Sequence, residues 1–168
     1  MWPVSLVPFE SVDLDLVVQL AQDLSDLDFA ATVSTPVEIP AGSFNPSRRQ
    51  YRAEAFLAAV RESSGVRALG ITDVDLYVEP LNFVFGLAEK PGRAAVIASS
   101  RLHAGTDAKT YRERILKEAV HELGHTLGLA HCADPNCVMH FSNSLRDTDQ
   151  KGADFCARCL RTLSLTQS

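Results

Sequence analysis

At 168 residues the chain is long enough for one domain around one core and short for two. Its residues are 46% hydrophobic and 22% charged, and its mean hydropathy is zero, which places it with folded globular proteins and outside the disordered and membrane classes. A net charge of −5 and scattered basic residues argue against the basic face that nucleic-acid binding needs, so no nucleic-acid partner is expected.

No run reaches the roughly 18 apolar residues of a membrane span. The first ten residues, with Pro3 and Pro8, lack the basic start and cleavage site of a signal peptide. A cytoplasmic location without membrane association is the expectation, and cysteines there serve more often as metal ligands than as disulfides.

In chain order, Val4–Phe9 reads as a buried strand. Ser11–Leu24 has apolar residues at helical spacing, with Ser11 as its N-cap. Ala31–Val37 reads as a second strand, ended by Pro40 and Gly42. Asn45-Pro46 looks like a helix start, and that helix is expected to run to Ser63. Leu69–Val78 reads as a third strand, and Phe83–Ala88 and Ala94–Leu102 flank a turn with Pro91 and Gly92. Asp107–Leu129 is the longest helical segment. The tail, Cys132–Ser168, has little apolar periodicity outside Leu160–Leu165, and such a weak core needs a staple. The expected architecture is α/β: one domain whose residues 1–130 end in a catalytic helix and whose residues 131–168 form a small metal-stapled part.

Chemistry concentrates in His121-Glu122-Leu123-Gly124-His125, followed by Gly128 and His131. Residues four apart share a helix face, so His121 and His125 can offer both imidazoles to one ion. Glu122 lies about 100° further round, where it reaches the metal's water without taking a ligand position. Gly128 suits the left-handed turn by which the chain leaves the helix, bringing His131 back as a third ligand. Three histidines leave a fourth position open, which marks a hydrolytic zinc and not a closed structural one. His103 reads as a loop or strand-end residue, and His140 as local structure near the site.

All four cysteines follow: Cys132 and Cys137, then Cys156 and Cys159. Two such pairs suit a tetrahedral zinc held by four thiolates. A redox pair at Cys156 and Cys159, or two disulfides, are the alternatives.

The spacing His-Glu-x2-His-x2-Gly-x2-His, with Met139 after it, resembles the metzincin clan of zinc peptidases. Cysteine directly after the third histidine, then Cys-x-Met and a distant Cys-x2-Cys, resembles the archaemetzincins within that clan. The resemblance covers Val120 to Cys159. It implies a metzincin-like mixed twisted sheet and a catalytic zinc on His121, His125 and His131, with Glu122 as general base. It also implies Met139 in a Met-turn packed beneath the metal, and a structural zinc on Cys132, Cys137, Cys156 and Cys159. A peptide or protein substrate would lie along an antiparallel edge strand, with Phe83–Ala88 as the candidate. Some metzincins carry a tyrosine two residues after that methionine; here the position is Phe141. The function expected is a zinc-dependent peptidase, monomeric and carrying two Zn²⁺. The competing reading is a zinc-binding peptide-recognition or regulatory protein with little turnover.

Overall fold

The computed structural model describes residues 1–166, so the last two residues of the tail, 167 and 168, lie outside the described residues. Val4, Leu6 and Val7 are buried in strand β1 (Trp2–Pro8), which lies second in a five-stranded sheet. Helix α1 (Leu14–Ser25) leads to β2 (Phe29–Val33), which pairs parallel to β1 at one edge. The short strands β3 (Phe44–Asn45) and β4 (Gln50–Arg52) precede helix α2 (Ala53–Arg61). Strand β5 (Ala68–Thr72) returns to the main sheet, and β6 (Leu76–Tyr77) joins β3 and β4 in a small second sheet. Strands β7 (Gly86–Ala88) and β8 (Ala94–Ala98) complete the main sheet in the order β2-β1-β5-β8-β7, with only β7 antiparallel to its neighbour. After a 3-10 turn at Ser100–His103 come α3 (Ala108–Thr126), α4 (Leu145–Gln150) and α5 (Ala157–Thr166).

The central strands β5 and β8 are buried on both faces, as parallel strands covered by helices must be. Alternation along them separates two cores. Leu69, Ile71, Ala95 and Ile97 meet Val17, Leu20 and Leu24 of α1 and Ile115, Ala119 and Leu123 of α3. Ala68, Ala94, Val96 and Ala98 meet Phe56 and Val60 of α2 on the opposite face. The expected mixed sheet with helices is therefore present, with α3 laid along the β8–β7 margin. Among the described residues no helix is long and apolar enough to cross a membrane.

Local expectations differ from the structure where side-chain hydrogen bonding decides. Asp13, not Ser11, caps α1, through its carboxylate and the Asp15 N–H at 3.0 Å; Ser11 has φ +73° and donates to Asp73. The second strand begins at Phe29 and ends at Val33. No helix starts at Asn45-Pro46. The Asn45 side chain instead accepts from the Ser47 and Arg48 N–H groups, making a turn between β3 and β4, and Arg49 takes φ +55°. The helix of that region spans only Ala53–Arg61. Leu69–Val78 is two strands in two sheets, because Asp73 and Asp75 interrupt it. The strand expected to reach Leu102 stops at Ala98 and gives way to the 3-10 turn.

Arg114 anchors the tail to this frame. Its guanidinium, 7% exposed, donates to the carbonyls of Leu102 and Ala104 and pairs twice with Asp149 at 2.7 Å. Those bonds hold the Asp149 carboxyl below the usual carboxylate range. A depressed carboxyl stabilises the fold above its unfolded pKa of about 3.9 and loses that contribution as pH falls through the lower, folded value. Asp149 is 40% exposed, so solvent screening limits the pair to about 1 kcal/mol. Asp149→Asn should therefore lower stability by a constant amount above about pH 5. The difference from wild type should shrink as the pH drops below about 4. Chemical denaturation at stepped pH checks this, and a difference that grows on acidification would contradict it.

Candidate active site

Helix α3 starts under the Asp107 cap, whose carboxylate accepts the Thr110 N–H at 2.8 Å. It delivers His121, Glu122 and His125 to the open side of β7. The helix ends at Thr126, short of the expected Leu129, and Gly128 makes the left-handed turn after it with φ +96°, a conformation that strains other residues. The Leu129 N–H bonds back to the Gly124 carbonyl at 3.0 Å, and the chain reverses so that His131 faces the helix pair.

The three imidazoles converge. One nitrogen from each of His121, His125 and His131 lies within 4.8 Å of the others. His121 Nδ1 lies 2.7 Å from the Val138 carbonyl, and His125 Nδ1 lies 2.8 Å from the Leu129 carbonyl. A carbonyl accepts only, so each Nδ1 carries the proton and each Nε2 presents a lone pair. Those two lone pairs face each other at 3.1 Å, an arrangement that suits a shared cation. Zinc at about 2.0–2.1 Å from each nitrogen, in tetrahedral geometry, would set them about 3.3 Å apart. Burial also lowers the pKa of all three rings, His121 most, and the ammonium of Lys151 adds to this. Neutral imidazole is the ligand form.

Glu122 is buried with its carboxylate beneath Gly86 of β7. A Cβ at Gly86 would sit 2.7 Å from Glu122 Oε1 and 2.8 Å from the Val96 carbonyl, so glycine there lets the acid reach the cleft floor. Burial raises the Glu122 pKa well above the ordinary value; the charge of Glu118, one turn earlier, raises it further and Lys151 opposes. Lys151 is fully buried, 3.6 Å from Glu118 Oε1 and 3.2 Å from the His140 carbonyl. Neither Glu118 nor Lys151 stood out in the sequence. Glu118 lies one turn before Glu122, the one signal available; Lys151 lies in a polar stretch that gives none.

Met139 is fully buried, with its sulfur against Gly124 of α3, where any larger residue would collide. His140 turns away from the cleft, its Nδ1 2.8 Å from the Cys132 carbonyl. His103 ends the 3-10 turn and packs on Tyr111, away from these groups.

Cys132, Cys137, Cys156 and Cys159 form a second cluster, again with ligand atoms within 4.8 Å of one another. Cys132 and Cys156 sulfurs lie 3.7 Å apart, and Cys137 and Cys159 sulfurs 3.8 Å. Those separations match the roughly 3.8 Å edge of a zinc–thiolate tetrahedron and exceed the roughly 2.05 Å of a disulfide. Arg158 donates to the Cys132 sulfur at 3.1 Å, and hydrogen bonds led by the Cys159 backbone lower the Cys156 thiol to about 7. The donor chemistry of both clusters thus fits Zn²⁺, one site open and one closed, so the protein has two zinc sites.

A cleft of about 550 Å³ runs over the histidines. Leu81, Phe83, Phe85 and Phe141 give it apolar walls, and β7 forms its rim. The Phe85 carbonyl and the Glu89 N–H pair with β8, so alternation turns the N–H and C=O of Gly86 and Ala88 outward, toward the cleft. Of the expected edge strand Phe83–Ala88, the last three residues are the strand.

Known proteins are similar to this chain in sequence and fold. The sequence pattern described as "Peptidase family M54" matches residues 14–165. An archaemetzincin of Pyrococcus abyssi is 40% identical over 100% of this chain and 98% of its own. One of Methanopyrus kandleri is 48% identical over 75% of this chain and 73% of its own. The crystal structure of archaemetzincin from Methanopyrus kandleri superposes with a TM-score of 0.89 at 40% identity, covering 99% of this chain and 95% of that one. With its two zinc sites, the chain belongs to peptidase family M54, the archaemetzincins of the metzincin clan, and is a zinc metallopeptidase.

Proposed function

We propose that His121, His125 and His131 hold the hydrolytic zinc, that Glu122 is the general base, and that the four cysteines hold the structural zinc. The observation that carries this reading is the facing pair of Nε2 lone pairs beside a buried carboxylate on the same helix. Zinc bound there supplies Lewis acidity, polarising the scissile carbonyl and bringing the pKa of water toward about 7. Glu122 takes a proton from the attacking water at Oε1 and passes it to the leaving amine. Burial raises its pKa, which makes it a stronger base than an ordinary carboxylate. Lys151 and Glu118 set the charge behind His121 and Glu122. Met139 takes the Met-turn role, packing beneath the histidines.

The substrate is a peptide or protein segment laid along β7, its backbone pairing with the outward N–H and C=O groups of Gly86 and Ala88. The chain works as one catalytic domain and as a monomer, because each ligand set is complete within it. Residues 131–168 are its zinc-stapled part. Its net charge of −5 supports the absence of a nucleic-acid partner, and four unpaired thiols support a reducing, cytoplasmic setting.

Three outcomes test the assignment. Protein purified without added metal should carry two zincs per chain, and His125→Ala should carry one. Equal zinc in both would remove His125 from the ligand set. Glu122→Ala should keep both zincs and lose at least about a hundredfold in peptide hydrolysis; activity near wild type would sink the general-base role. Cys132→Ser should lose the closed-site zinc and melt at a lower temperature, and unchanged melting with two zincs would refute the structural site.

A further inference from the structure

The turn after β7 carries one charge into the cleft. Lys90 is exposed and lines the cleft beside His125 and His131, and its ammonium acts on both rings. Among the described residues it has no carboxylate within ion-pairing distance. Its neighbour Glu89 is already taken, pairing with Arg61 and accepting the N–H groups of Arg93 and Ala94 at 2.9 and 3.0 Å. The turn is also fixed in place, because the Gly92 N–H donates to the Thr126 carbonyl at the end of α3 at 3.1 Å. The backbone that carries the lysine is therefore held against the end of α3.

Strand direction tells which part of a substrate meets it. Glu122 lies beneath Gly86, so the bond to be cut lies there. Antiparallel pairing is the more stable choice for a peptide adding to β7. A peptide running antiparallel passes the Lys90 end first, so residues beside Lys90 lie on the N-terminal side of the cut bond. Lys90 lies four positions after Gly86, and with the reach of the lysine stem this points roughly two to four residues before the bond. We propose that Lys90 selects peptides with a carboxylate side chain at that place and disfavours a free terminal amine there, directing cleavage to internal bonds. The proposal rests on the peptidase reading above.

Net charge makes the signature specific. A chain at −5 repels acidic peptides in general, so a gain from Lys90 must be confined to one position along the substrate. The experiment uses zinc-loaded Glu122→Gln protein and end-blocked neutral octapeptides in which one glutamate is moved through every position. Affinity is read by anisotropy, and wild-type digestion of the same peptides locates the cut bond. Glutamate at one position before the cut should tighten binding about threefold, weakening with salt. In the Lys90→Glu background lysine should be preferred there instead, and unblocking the terminus at that place should weaken binding to the parent. A flat glutamate profile, a profile unchanged by Lys90→Glu, or a gain only after the cut bond would overturn the proposal. Position-specific binding without wild-type cleavage would leave only the carboxylate selection by Lys90 and would overturn both the peptidase reading and the direction to internal bonds. No binding by any peptide would overturn both.

Discussion

Two backbone carbonyls, of Val138 and Leu129, govern the chemistry of the cleft. By accepting the Nδ1 protons of His121 and His125 they leave each Nε2 as a pure acceptor, and the helix then points the two acceptors at one spot. Histidine alone would sample both tautomers and several ring orientations. The carbonyls come from different places: Leu129 lies just beyond the helix end that Gly128 creates, and Val138 precedes the buried Met139. The turn at Gly128 and the packing of Met139 against Gly124 therefore act on the imidazoles indirectly, by fixing where those acceptors stand.

The sheet serves the same site from above. Because β7 is antiparallel and at the margin, its outward hydrogen-bonding groups face the cleft while its inward ones are held by β8. The lack of a side chain at Gly86 lets Glu122 rise against this rim. Below, Glu118 and Glu122 lie one helical turn apart with the buried Lys151 ammonium nearby. Burial drives both carboxyls toward protonation, the charge of Glu118 adds to this at Glu122, and the lysine opposes it at both.

The clustering of the three histidines was legible because metal-site spacing is local: four along a helix, then a glycine, then a return. The parallel core was legible too, since strands buried on both faces give continuous apolar runs. What the sequence hid has physical reasons. Asn45-Pro46 carries the signature of a helix start, and only the pairing of Phe44–Asn45 with Gln50–Arg52 makes it a turn. The stretch Leu69–Val78 is apolar enough for one strand, but its halves join different sheets. Lys151 is 30 residues from His121, and no local pattern announces that a lysine in a polar segment will be fully buried behind a ligand. Long-range side-chain contacts of that kind are set by topology, which periodicity does not encode.

His131 and Cys132 are consecutive, yet one faces the imidazole cluster and the other the thiol cluster. A single peptide plane thus joins the two clusters; its Cys132 N–H donates to the Met139 carbonyl, and the next plane is held where the Cys132 carbonyl meets His140 Nδ1. Coordination at either end restrains the torsions available to the other. In thermodynamic language the two metal equilibria are linked: filling the thiolate site spends conformational entropy that the third imidazole would otherwise have to lose on its own. Because such linkage is reciprocal, filling either site favours the other by the same factor.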